Sequence, residues 1–191
     1  MKNRLVTGAI LLVVAAVGAW YISIPFVGKD AVNRPVTPTP SQVAQNMKLT
    51  STAFANEEKI PVTYTCDGTK VNPPLSVSGV PASAKSLSLI VDDPDAPMGT
   101  FTHWVIWNLS PTTGEITSGV IPPTSQEGTN SAGRIGYTPP CPPAGTHRYF
   151  FTLFALDTTI GLDGKAKKAE LETAMKGHII EQTNLIGAYG R

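Results

Sequence analysis

Ser86-Leu87-Ser88-Leu89-Ile90-Val91 runs straight into Asp92-Asp93-Pro94-Asp95-Ala96-Pro97, and Phe101-Thr102-His103-Trp104-Val105-Ile106-Trp107-Asn108-Leu109 leads away from it. The first segment alternates, with Leu87, Leu89 and Val91 on one face, and reads as a strand. Pro94 and Pro97 fix φ and remove backbone donors, so the chain after it is a stiff acidic loop. Thr102 to Leu109 predicts the next strand, with His103, Val105, Trp107 and Leu109 on one face and Trp104 and Ile106 on the other. Apolar residues on both faces require cover on both, which points to a layered β domain.

A second stretch answers the first. Gly136-Tyr137-Thr138-Pro139-Pro140-Cys141-Pro142-Pro143-Ala144-Gly145-Thr146 ends in His147, and His147 to Leu156 is the strongest strand signal in the chain. Tyr149, Phe151, Leu153 and Ala155 share the face of His147. Two rigid Pro/Gly loops, each delivering a histidine into a strand, read as two walls of one pocket. Asp93 and Asp95 close one strand, while His103 and His147 open two others, so carboxylates would orient imidazoles in one concave site. Such a site can hold an anion, bind a metal or do acid–base chemistry. Each residue also has a plainer reading. Aspartates cap backbone N–H groups in turns, and a strand histidine is often just satisfied in place. The coincidence of two histidines beside two such loops favours the pocket.

Elsewhere, Met47 to Phe54 predicts a first strand and Ile60 to Thr65 a second, ending in the turn Cys66-Asp67-Gly68. Thr112 to Asn130 reads as a long loop or a pair of short strands. Ala166 to Met175 predicts a helix, with Leu171 and Met175 four apart. Gly177 interrupts it, and His178 to Leu185 is expected to continue as a second helical piece. The expected fold is mainly β with short helices at its end.

The chain has 191 residues, a net charge of +1 and 15% charged residues, against a usual share of about 25%. That leaves no electrostatic footprint for nucleic acid. The 17 glycines and 17 prolines, spread between apolar runs, indicate a loop-rich β protein. At the N-terminus, Lys2 and Arg4 precede an uncharged stretch from Leu5 to Ile24, with Trp20 and Tyr21 near its outer end. Twenty helical residues at about 1.5 Å each span a bilayer core roughly 30 Å thick. The favoured reading is an uncleaved signal anchor over residues 1–27, and the alternative is a cleaved secretory signal. Both export the rest. A Pro/Thr-rich linker over 28–46, with Pro35, Pro38 and Pro40, would hold the domain of 47–191 clear of the bilayer.

Neither H-E-x-x-H, C-x-x-C nor Gly-x-Ser-x-Gly occurs, and three histidines make a dedicated zinc site a minority reading. The sequence proposes no reaction and calls for no cofactor. Cys66 and Cys141, both in loops beside the pocket, form an even pair that an exported domain allows to bond. Two free thiols remain the alternative.

At these residues the chain resembles the phosphatidylethanolamine-binding protein family, in its bacterial and archaeal Raf kinase inhibitor-like branch. The resemblance runs from about Met47 to Arg191 and is carried by Tyr64-Thr65-Cys66-Asp67-Gly68, the acidic loop, Thr102-His103-Trp104, the run Pro140 to Tyr149, and Ala174-Met175-Lys176-Gly177-His178. It implies a two-sheet β-sandwich with short peripheral and C-terminal helices, and a small anion pocket for phosphate-bearing head groups. Carried over by motif, Asp93, Asp95, His103, His147 and Tyr149 would line that pocket, with the Pro140 and Gly145 loop as its rim. The family usually has Gly-Pro where this chain has Pro139-Pro140, which removes a backbone N–H and the free φ of glycine and implies a narrower rim or a poorer anion donor. Kinase inhibition does not carry over, because an exported domain does not meet cytosolic kinases.

Three readings follow. The first is a membrane-tethered, extracytoplasmic binding module for a phosphate-bearing small molecule or lipid head group. The second is a regulator that docks its rim on a protein partner, such as an extracytoplasmic protease. The third is a hydrolase using the His/Asp pocket. The first is preferred.

Overall fold

The computed structural model describes residues 46–191. The anchor expected over 1–27 and the linker, up to residue 45, fall outside the described residues. Among the described residues no helix is long and apolar enough to cross a membrane.

Two antiparallel sheets form the domain. The smaller joins β1 (Lys48–Thr50), β2 (Leu75–Ser78) and β5 (Glu115–Ile116) in the order β1-β2-β5. The larger has the order β6-β4-β3-β7-β8, from β3 (Ser86–Asp93), β4 (Phe101–Leu109), β6 (Gln126–Glu127), β7 (Thr146–Leu156) and β8 (Ile179–Gly190). Leu49, Leu75, Val77 and Ile116 from the small sheet meet Leu87, Leu89, Val91, Trp104, Phe151 and Leu153 from the large one in the main core. The opposite face of the large sheet buries Ile90, Val105, Trp107 and Leu156 against Leu171 and Met175 of α1 (Lys168–Met175). Cover on both faces is what the apolar pattern of β3 and β4 required.

Four sequence expectations are corrected. His178 to Leu185 is not a second helical piece. Gly177, at φ 82°, turns the chain out of α1, and the next twelve residues pair with β7 from Leu156 back to Thr146. The last element among the described residues is therefore a strand, and α1 is the one α-helix among them. Ile60 to Thr65 is not a strand either. Only Ile60 pairs, donating to the Ala188 carbonyl at 2.7 Å, before Val62–Tyr64 winds into a 3₁₀ turn. The loop over Thr112 to Asn130 does contain two short strands, β5 and β6.

The remaining two corrections concern β4, which carries nine residues opposite seven of β3. Val91 faces Trp104 and Asp92 faces Thr102, so His103 is an extra residue. Leu87 faces Leu109 and Leu89 faces Ile106, so a second extra residue sits near Asn108, whose φ is 58°. These are β-bulges, and a bulge re-aims side chains. Leu109 thereby joins the main core while Val105 and Trp107 stay on the helix side. His103 swings to the side of Tyr149, whose ring it meets edge-on at 5.2 Å.

Candidate functional site

At the ends of β3, β4 and β7 lies a cavity of about 180 Å³. Asp93, Phe101, His103 and His147 line it from the sheet, Ala96 and Pro97 from the acidic loop, and Thr138, Pro139, Cys141, Pro142 and Pro143 from the facing loop. The register puts these side chains together. Asp93 follows Val91 on the main-core face, and His147 precedes Tyr149 and Phe151 on the same face of β7. The bulge then brings His103 onto that face.

Each imidazole is held at one nitrogen. His103 Nδ1 lies 2.7 Å from the Thr138 carbonyl, which can only accept, so Nδ1 carries the proton. His147 Nδ1 donates to Asp93 Oδ2 at 2.7 Å, with both side chains buried. Neither Nε2 has a protein partner among the described residues, and both rings line the cavity. Burial lowers the pKa of His103, although the Thr138 carbonyl and the Asp93 charge push the other way. At neutral pH its Nε2 therefore offers a lone pair. The other oxygen of Asp93 accepts from the Asp95 backbone N–H at 2.9 Å, so one carboxylate shapes the loop and orients a histidine.

Of the expected residues, Asp93, His103 and His147 are brought together around the cavity. Asp95 is not among the lining residues. It turns outward, accepting from Arg148 Nε and Nη2 at 2.9 and 2.7 Å and from the Arg148 backbone N–H at 3.0 Å. Those bonds hold its carboxyl down at a pKa of about 2. The pair supplies stability above the ordinary carboxylate range and loses it as pH falls from about 4 towards 2. Pro140 and Gly145 do not line the cavity either. The Pro140 carbonyl accepts from Cys66 N–H at 3.0 Å, and Gly145, at φ 71°, makes the turn into β7.

Tyr149 sits behind His103, fully buried, and its hydroxyl has no hydrogen-bond partner. Burial first, and then the charge of Asp93, raise its pKa. An unpaired buried hydroxyl costs roughly 1–3 kcal/mol. Tyr149→Phe is therefore expected to leave the empty domain as stable or to raise its unfolding free energy by about 1 kcal/mol. A chemical denaturation curve showing a loss of stability would mean the hydroxyl is already bonded.

Sequence reasoning missed two contributors. Phe101 packs on the His103 ring at 4.8 Å, and Thr138 fixes its tautomer. Phe101 was visible as an aromatic two residues before His103, whereas a backbone carbonyl leaves no mark on a sequence. Cys66 and Cys141 are bonded, with Cα atoms 5.4 Å apart, and Cys141 forms part of the cavity wall. Among the described residues, no group of three or more His, Cys, Asp or Glu side chains is placed to hold a metal ion.

The profile of the phosphatidylethanolamine-binding protein family matches residues 50–190. A UPF0098 protein of Pyrococcus horikoshii is 50% identical over 151 residues, covering 74% of this chain and 75% of the relative. A UPF0098 protein of Methanothermobacter thermautotrophicus is 48% identical over 150 residues, covering 76% and 99%. Among solved structures, a phosphatidylethanolamine-binding protein homologue from Chlamydia trachomatis superposes with a TM-score of 0.75 at 44% identity, covering 77% of this chain and 99% of that one. YbcL of E. coli, described as a member of the mammalian PEBP family, gives 0.72 at 26% identity, covering 76% and 99%.

Proposed function

Since the chain belongs to the phosphatidylethanolamine-binding protein family, we propose that it is a binding module whose Asp93/His103/His147 cavity takes the phosphate group of a small molecule or lipid head group. The observation that carries this reading is the pair of imidazoles anchored through Nδ1, each with an unpartnered Nε2 in one cavity. Once protonated, the His103 Nε2 is a donor facing the same cavity as the His147 ring, and charge-assisted hydrogen bonds to phosphate are the strong kind. The apolar side chains of Ala96, Pro97 and Phe101 lower the local dielectric and strengthen them. The Cys66–Cys141 bond supports work in an oxidising, extracytoplasmic compartment, and the uncharged stretch from Leu5 to Ile24 supports tethering to a membrane.

The reading has a sign that can be tested. With its pKa lowered in the empty cavity, His103 must take up a proton to donate to an anion. Affinity for phosphoethanolamine is therefore expected to rise about tenfold per pH unit on going from pH 8 to pH 7, where phosphate esters, with a second pKa of about 6, do not change charge. The measurement is a titration that follows the imidazole NMR signals of His103 and His147. Joint, saturable shifts support one anion site, while an affinity indifferent to pH or rising with it sinks the reading.

One observation favours a second role as a docking regulator. Met98, at the tip of the acidic loop beside Pro97, is 100% exposed, an apolar anchor standing on the rim. A protein complex whose formation phosphate blocks would support it.

A further inference from the structure

We propose that the Cys66–Cys141 bond is a thiol–disulfide exchange site, at which a dithiol reductant loosens one wall of the cavity and an oxidant re-forms it. The inference rests on the anion reading above and adds a regulation to it. Its basis is how little else holds that wall. Pro139, Pro140, Pro142 and Pro143 have no N–H to donate, so the loop cannot knit itself to its surroundings. Between Thr138, whose N–H donates to the His103 carbonyl at 2.8 Å, and Gly145, whose carbonyl accepts from Arg191 N–H at 3.2 Å, one backbone hydrogen bond is made. That bond runs from Cys66 N–H to the Pro140 carbonyl, and the disulfide runs to Cys66 as well. Both main ties thus end on one residue.

The bond is also open to attack. Cys141 is exposed at the cavity mouth, whereas Cys66 is half-buried. Arg191 Nη1 lies 3.5 Å from Cys141 Sγ, placing a positive charge beside the sulfur under attack. Asp67 accepts from Arg191 Nη2 at 2.8 Å and from the Tyr189 hydroxyl at 2.6 Å, which offsets part of that charge and holds the guanidinium in place. In the first step a reductant thiolate attacks Cys141 Sγ, the S–S bond breaks, and Cys66 leaves as a thiolate that takes a proton from water. The second thiolate of the reductant then attacks its own sulfur in the mixed disulfide and expels Cys141. Two electrons pass to the protein, and the reductant becomes a disulfide. The freed wall must then be ordered by the ligand itself, which weakens binding.

The test uses the full chain, dithiothreitol as reductant, glutathione disulfide as oxidant and phosphoethanolamine as probe. The expected result is reduction without denaturant, an unchanged far-UV spectrum, affinity weakened about tenfold or more, and recovery on reoxidation. Cys66→Ser/Cys141→Ser should match the reduced chain. A bond that yields only when the domain unfolds, or equal affinity in both states, overturns the exchange site; in the second case the anion reading survives. If the oxidised chain binds no anion, that reading fails separately. The imidazole signals of His103 and His147 then decide: a shift on reduction supports a loosened wall, and unmoved signals overturn it.

Discussion

Asp93→Ala is expected to destabilise the domain by about 3–5 kcal/mol, because it removes one buried and one half-buried hydrogen bond to a carboxylate, at about 1.5–3 kcal/mol each with the second discounted for its exposure. His147 Nδ1 loses its partner at 2.7 Å, and the Asp95 N–H loses the cap that shapes the loop. For a domain of this size the midpoint of thermal unfolding should fall by about 10 °C. Asp95→Ala is the control. Its ion pair with Arg148 has the same 2.7 Å separation, but the arginine side chain is 59% exposed. Solvent screens such a pair, so a loss of at most about 1 kcal/mol is expected. Burial, not distance, separates two aspartates two residues apart. Equal losses in calorimetry would show that Asp93 is no more embedded than its neighbour.

The second large effect belongs to the disulfide. Cys66 and Cys141 are 75 residues apart, and the chain-entropy model assigns closure of such a loop about 4 kcal/mol. Cys66→Ser/Cys141→Ser should therefore lower the thermal midpoint by about 8–16 °C. Urea titration should show the same difference with little change in slope beyond that expected from a less restricted unfolded chain. A difference under about 1 kcal/mol would mean that the unfolded chain is already constrained there.

How much of this was legible in the sequence depends on which forces act locally. The strands β3, β4 and β7 were readable because alternation is a local record of burial, and Asp93, His103 and His147 stand at their ends. The Pro/Gly loops marked the walls for the same reason. β8 was misread because Glu181, Gln182 and Asn184 carry no strand pattern, and its pairing with β7 is set by tertiary contact. Gly177 followed by the β-branched Ile179 and Ile180 was the available clue. Asp95 looked like a second pocket carboxylate until Arg148, one residue past His147, claimed it. Bulges leave the faintest trace. Asn108, a residue tolerant of positive φ, marks one of them, and nothing in Thr102-His103-Trp104 marks the other.

The bulge between Thr102 and Trp104 makes His103, which lines the cavity, supernumerary. Because Val91 faces Trp104 and Asp92 faces Thr102, loss of the single codon for His103 would leave that end of the ladder regular, with the pairs on either side in register. His103, as one imidazole of the candidate site, is thus separable from the scaffold. A lineage could discard or regain that imidazole by one in-frame deletion or insertion without having to re-evolve the sandwich that carries it.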